Sequence, residues 1–314
     1  MARLLRILAG ESLAFSETES AAALAEFLPP ARTRRLDPLG RMALLAAYTA
    51  LRDAGLAPEE ARSERWGIVV GTAFGPQTST FSYLDGLIDS GDHLVSSLAF
   101  TNSVHNLPAA QVSLALGITG PVQTLSAFGE TAGAALQTAC GWIRTGRADR
   151  VLVILGEESS PVMDYVVGRM GGGAGSVRPL TNECTYAPRP GGAALLLGSG
   201  AAGYAGILEV AEGLTTAEAA SQAAAADLLY CAASGRSDEA GDYRVLASRS
   251  AQVRAHAGFY GSLATGLGLE TAIAALALAG RLPEGNPSGS AKPRTAAVAG
   301  VAGPNRVTLV SLED

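Results

Sequence analysis

Apolar residues recur at intervals of three and four across residues 41–56, the spacing that lines one face of a helix, and Gly55 supplies its left-handed stop. Residues 66–72 form a short apolar, β-branched run that closes on a glycine, which predicts a buried strand. The stretch 73–99 holds neither period and reads as mostly loop with short helix. Pro108 fits the first turn of a helix running to about Leu116, where its missing N–H costs nothing. Residues 123–128 predict a central strand, and 132–143 a helix whose Ala and Gly side chains suit packing on several sides. Two more buried strands follow at 150–156 and 192–198, with irregular chain between them at Gly171 to Gly175 and Pro179 to Pro190. From about residue 199 the alternation restarts: strand 207–211, helix 217–228, strand 229–233, long helix 262–279, then strands 295–301 and 306–312. With a short strand ahead of the first helix, these are two βαβ-rich halves, 1–198 and 199–314, of a layered α/β protein with buried sheets.

Composition agrees with a large core: of 314 residues 48% are hydrophobic and only 17% charged. The net charge of −6, with no Lys/Arg block, argues against nucleic acid. Near the amino terminus Arg6 and Glu11 interrupt the apolar run, leaving it too short for a signal-peptide core. Residues 263–282 are apolar but include Glu270, which favours a core helix over a membrane span. Cys140, Cys184 and Cys231 show no paired or metal-like spacing, and a reduced, cytoplasmic protein is the expectation.

The chemistry centres on Gly120-Pro121-Val122-Gln123-Thr124-Leu125-Ser126-Ala127-Phe128-Gly129-Glu130-Thr131-Ala132-Gly133. Arg34-Arg35-Leu36-Asp37 precedes it, with Asn102-Ser103-Val104-His105-Asn106, and Arg178-Pro179-Leu180 and Gly300-Val301-Ala302-Gly303-Pro304-Asn305 follow. In order and character these landmarks resemble the β-ketoacyl synthases of the thiolase superfamily. The resemblance covers about residue 32 to the carboxyl terminus and implies the thiolase fold, two βαβ-rich halves in a five-layered α-β-α-β-α arrangement. The chain is trimmed relative to typical ketosynthases, in its amino-terminal strand region and around 199–255. Condensing members hold the acyl chain on a cysteine at the mouth of the buried helix and use two histidines for decarboxylation and oxyanion stabilisation. Carried over, the cysteine position is Gly129, or Glu130 if the turn is one residue longer. The histidine positions are Ala232 and Gly261, with His256 near the family lysine, and the gatekeeping phenylalanine position is Val301. None of these can do the family's chemistry.

The best match is therefore the chain-length factor, or ketosynthase β subunit, of type II polyketide synthases, with some likeness to polyene-forming systems. That implies no cofactor, a heterodimer with a catalytic ketosynthase, and a carrier protein delivering the polyketide chain. Thiolase-fold dimers join through the strand before the nucleophile turn, here 123–128, and the helix at 107–116. Val95, Leu98, Val104, Pro108, Gln111 and Phe128 are the candidate walls of a tunnel along that interface. An alternative is a stand-alone enzyme, such as a malonyl-carrier decarboxylase using Glu130; a structural Glu at a helix N-terminus is the plainer reading. His105 reads as a bonded structural histidine. His93 and His256 are isolated from acidic partners in sequence, which argues against metal. Cys140 reads as a small core residue, and the Gly171 to Gly175 run as a flexible loop, not a phosphate cradle.

Overall fold

The computed structural model describes the backbone of residues 5–13 and residues 22–169, 172, 175–200, 203–282 and 293–314 in full. Most of the Gly171 to Gly175 run lies outside the described residues. Among the described residues ten strands form the frame: β1 (Leu5–Leu13), β2 (Trp66–Gly71), β3 (Val122–Leu125), β4 (Arg150–Glu157), β5 (Gly191–Ser199), β6 (Ala205–Leu214), β7 (Leu228–Cys231), β8 (Val253–Arg254), β9 (Thr295–Gly303) and β10 (Arg306–Glu313). Their lateral order is β3-β2-β4-β5-β1-β6-β10-β9-β7-β8. Read outward from its centre, the first five strands and the last five repeat one arrangement. In each, the two outer pairings are parallel and the two inner pairings antiparallel. The two sets meet at β1 and β6 over three residue pairs, Leu5 with Ile207, Arg6 with Gly206 and Ile7 with Ala205.

The frame is covered by α1 (Pro38–Asp53), α2 (Gln77–Ser90), α3 (Ser97–Asn102), α4 (Leu107–Leu116), α5 (Thr131–Arg144), α6 (Pro161–Arg169), α7 (Thr216–Ala223), α8 (Ala240–Ser248), α9 (Ala257–Tyr260) and α10 (Gly266–Leu278), with a further four-residue helix at Pro30–Thr33 and short turns elsewhere. Side-chain alternation along the strands assigns the layers. Val151, Val153 and Leu155 of β4 point, with Leu195 and Leu197 of β5, into a core built around α5 and α10. Val298, Val310 and Leu312 reach that core from the second set. Leu152 and Ile154 face the other way, onto α1 and α4. Leu229, Ala297, Ala299 and Leu309 face α7 and α8. The result is five layers, helix-sheet-helix-sheet-helix, with α5 and α10 between two sheet surfaces. That position explains their small side chains: a Cβ on Gly268 would meet Leu155, and one on Gly133 would meet Thr308 and Glu212.

Three sequence expectations change. The strand expected at 123–128 in the centre is β3, four residues long and at one end of the frame. Its residues suit an edge and a centre alike, and at this edge Val122 and Gln123 are exposed. The 73–99 stretch carries the fourteen-residue α2. Its Ser, Thr and Gly content hides it, and only Gln77 and Ser79 are buried. Helix α8 was not foreseen because just Ala240, Tyr243 and Leu246 are buried along it. The core-helix reading of 263–282 holds in α10, where Glu270 is fully buried. Among the described residues no helix is long and apolar enough to cross a membrane.

Candidate functional site

Between β3 and α5 the chain passes through Ser126, Ala127 and a single tight turn, Phe128–Glu130. Two hydrogen bonds fix it. Ser126 Oγ donates to the Ala73 carbonyl at 3.0 Å, and the Ala127 amide donates to Thr131 Oγ1 at 2.9 Å. Phe128 takes a left-handed backbone, φ 46°, and its ring is 69% exposed, meeting Phe74 edge-on with centroids 6.1 Å apart. Gly129 lies so close to β9 that a Cβ would stand 3.0 Å from Ala302 Cα. Glu130 is gripped by the Arg306 guanidinium, Nε at 2.5 Å and Nη2 at 2.9 Å, a two-pronged ion pair that closes the start of α5. Burial, reinforced by the nearby Glu130 charge, pushes the Glu212 carboxyl up from its ordinary value. No thiol stands in this turn. Burial pushes the Cys140 thiol up to about 11 and Cys231 further, so both are inert core residues.

The two residues expected at the family's histidine positions, Ala232 and Gly261, lie near the start of α10. Ala232 follows β7, its amide donating to the Ala299 carbonyl at 2.9 Å. Gly261 has φ 88°, and a Cβ there would lie 2.8 Å from both Cβ and Cγ of Arg189. The space a side chain would need is thus filled by the Arg189 stem. His256, isolated in sequence, is not isolated in space. Its Nδ1 lies 2.8 Å from Glu270, its amide donates to the same carboxylate at 2.7 Å, and Tyr260 Oη donates to it at 3.0 Å. A parallel Tyr230 ring flanks the imidazole. His256 thus has an acidic partner that no ligand spacing along the sequence reveals, because fourteen residues separate the pair. The adjoining loops are tied by Ser262, whose Oγ donates to the Ser234 carbonyl at 2.5 Å and accepts from the Ala187 amide at 2.9 Å. Glu239 accepts from the Ser234 amide at 2.7 Å and from its hydroxyl at 2.5 Å. His93 is exposed beside Asp92, and among the described residues no three His, Cys, Asp or Glu side chains gather as a metal site.

A group of buried carboxylates beneath the turn was missed by sequence reasoning. Glu157, at the end of β4, accepts from Thr72 Oγ1 at 3.0 Å, the Ala73 amide at 2.6 Å and the Phe74 amide at 3.2 Å. Glu158 accepts from the Leu39 amide at 3.2 Å and the Thr78 amide at 2.5 Å, capping the starts of α1 and α2 together. Asp37 caps α1 through the Gly40 amide at 3.0 Å. Desolvation outweighs these donors, raising Glu157 and Glu158 to about 7 and Asp37 to about 6. Two adjacent acids directly after an apolar strand were the available signal.

Of the tunnel candidates, Leu98, Val104 and Phe128 are exposed and Val95 is half-buried. Pro108 is buried, and the Gln111 amide oxygen turns inward against Gly40 of α1. His105 packs its ring against Gly75, whose φ of 69° and lack of a Cβ make room for it. Leu114 of α4, Ile88 of α2 and Leu94 are each more than three-quarters exposed, and Phe100 and Val122 are also exposed. A strand edge unpaired among the described residues, accompanied by this much apolar surface, is unusual for a monomer.

Duplicated five-stranded halves enclosing two central helices, with the strand-to-helix turn at the mouth of α5, define the thiolase-type ketosynthase fold. Residues 11–202 match the β-ketoacyl synthase N-terminal domain, and the chain belongs to the β-ketoacyl synthase family. Among curated relatives, nodulation protein E of Rhizobium meliloti (strain 1021) is 29% identical over 132 residues, 42% of this chain and 32% of that protein. The chloroplastic 3-oxoacyl-[acyl-carrier-protein] synthase I of Arabidopsis thaliana is 27% identical over 122 residues, 38% of this chain and 26% of that protein. The match thus spans about a third or less of these relatives. Among solved structures, the ishigamide ketosynthase/chain length factor superposes with a TM-score of 0.78 at 15% identity, covering 100% of this chain and 99% of that one. A type II PKS acyl-carrier protein in complex with its ketosynthase bound to the hexaketide gives 0.77 at 13% identity, with the same coverage. At these identities the structures speak for the fold.

Proposed function

We propose that this chain is a non-catalytic chain-length factor, the partner of a catalytic ketosynthase in type II polyketide synthesis, and that it shapes the tunnel limiting the polyketide. The observation that carries this reading is the closure of the vestigial site. Gly129 is packed against Ala302, Glu130 is paired with Arg306, and the Arg189 stem occupies the space beside Gly261. An acyl chain would find no nucleophile and no imidazole at either position, and no room for one at Gly261. The exposed β3 edge and its apolar surroundings support a subunit interface there, and the chain-length factor named in one structural neighbour accords with it. Exposed Arg32, Arg34 and Arg35 ahead of α1 offer a local basic patch for an acidic carrier protein, despite the overall charge of −6. Residues 1–198 and 199–314 are taken as the two thiolase-like halves, and a cytoplasmic location goes with this role.

Co-expression with an intact ketosynthase, followed by a mass measurement, tests the pairing: a stable one-to-one complex is expected. The purified chain alone should release no acetyl-carrier from malonyl-carrier protein. Release of acetyl-carrier, lost in Glu130→Ala, would instead establish the decarboxylase reading, which the Glu130–Arg306 pairing disfavours.

A further inference from the structure

Phe128 combines two costly features. Its left-handed backbone at φ 46° crowds a non-glycine side chain. Its ring, at 69% exposure, also leaves most of its apolar area in water. The contact with Phe74, one ring edge near the other at 66°, covers little of it. An outlier held in place at this cost calls for a use outside the chain's own core.

Both rings stand on rigid supports. Phe74 belongs to the turn whose amides donate to buried Glu157, and His105 packs behind that turn at Gly75. Ser126 Oγ ties the Phe128 segment to the Ala73 carbonyl, and Thr131 Oγ1 accepts from the Ala127 amide. The surrounding charges are withdrawn: Glu157 is inside the protein and Glu130 is closed on Arg306. What remains is a fixed, uncharged pair of ring faces next to the free edge of β3. Such a surface suits an extended apolar chain without ionic groups.

We infer that Phe74 and Phe128 form an aromatic ledge that receives a conjugated, flat acyl chain carried on the partner's thiol and favours it over a saturated chain of equal length. The inference rests on the pairing proposed above and deepens it. A purely steric wall sorts chains by length alone. Rings add a preference for flat π systems, because offset stacking contributes about 0.5–1.5 kcal/mol beyond the area buried. That corresponds to about two- to tenfold discrimination.

The test uses the full heterodimer with two probes in competition, an all-trans trienoyl pantetheine thioester and the saturated thioester of the same length. The acyl group passes to the partner's cysteine as free pantetheine leaves, and mass spectrometry reads the ratio of the two acyl forms. The ratio should fall about two- to tenfold in Phe128→Leu and in Phe74→Leu, which keep apolar bulk and lose the ring. Phe128→Tyr should keep it. Phe74 has no positive φ to accommodate, so its variant reports even if Phe128→Leu unfolds. An unchanged ratio in Leu variants that still form the intact complex overturns the ledge and leaves the pairing standing. Failure of the wild-type chain to form any complex overturns both.

Discussion

At the scale of single residues, Gly129 and Gly261 are crowded by their neighbours, and placing the proposed cysteine and histidines at these positions is expected to give no activity. A cysteine at Gly129 brings its Cβ to 3.0 Å from Ala302 Cα, and a histidine at Gly261 must hold φ 88° against the Arg189 stem. Each change costs on the order of 1–3 kcal/mol. The triple variant Gly129→Cys, Ala232→His, Gly261→His is expected to melt well below wild type and to form no acyl-enzyme detectable by intact mass. Glu130→Ala removes an ion pair whose arginine is 60% exposed. Screening by water limits that loss to about 1 kcal/mol or less, and condensation by the partner at saturating substrate should persist. If the heterodimer stayed intact yet condensation ceased, Glu130 would have a chemical role after all.

At the scale of elements, β3, α3 and α4 carry the consequences of exposure. A lysine on an edge strand is a natural block to strand addition. Val122→Lys and Leu114→Glu should leave far-UV circular dichroism unchanged while abolishing co-purification with the ketosynthase. The wild-type chain alone is expected to self-associate in light scattering for the same reason. A well-behaved monomer that ignores the ketosynthase would contradict the assignment of this face. On the proposed function, length control would belong to the same surface. Phe128→Ala opens space for a longer product, whereas Val104→Trp forces overlap costing about 1–3 kcal/mol and shortens it. The signs of the two shifts in a product-length profile should be opposite. The inward-turned Gln111 and buried Pro108 should act through the packing of α4 on α1 instead.

At the scale of the whole molecule, buried acids couple the fold to pH. Glu157 and Glu158 titrate near 7 and Asp37 near 6 because burial disfavours their charged forms. Their folded-state values lie above the unfolded ones, so the folded chain binds more protons between these limits. Stability from this source is complete at low pH and is lost as pH rises through about 7. Desolvation raises Glu239 as well, with the same sign. Asp227 is held low by the Arg294 and Thr295 amides, so its contribution is lost only below its ordinary range, outside this window. Melting followed from pH 5.5 to 8 should show a fall of several degrees, on the order of a few kcal/mol. A midpoint rising across that interval would mean that these carboxylates are ionised comfortably in the folded state.

The periodicities of 41–56 and 150–156, the glycine stop at Gly55 and the small-sided stretch at 132–143 determined α1, β4 and α5 without reference to anything distant. They could do so because burial on one face, or on all faces, leaves its period in the chain. The landmark order around Gly120-Pro121 likewise pointed to the ketosynthase family. What tertiary structure alone decided is what lies against what. An edge strand and a central strand can share the same apolar residues, so the place of β3 is set by pairing partners, not by its own sequence. The pairing of His256 with Glu270, of Glu130 with Arg306 and of Phe74 with Phe128 joins residues separated by 14 to 176 positions. No local pattern encodes such contacts, because their energy depends on a geometry that exists only once the layers have closed.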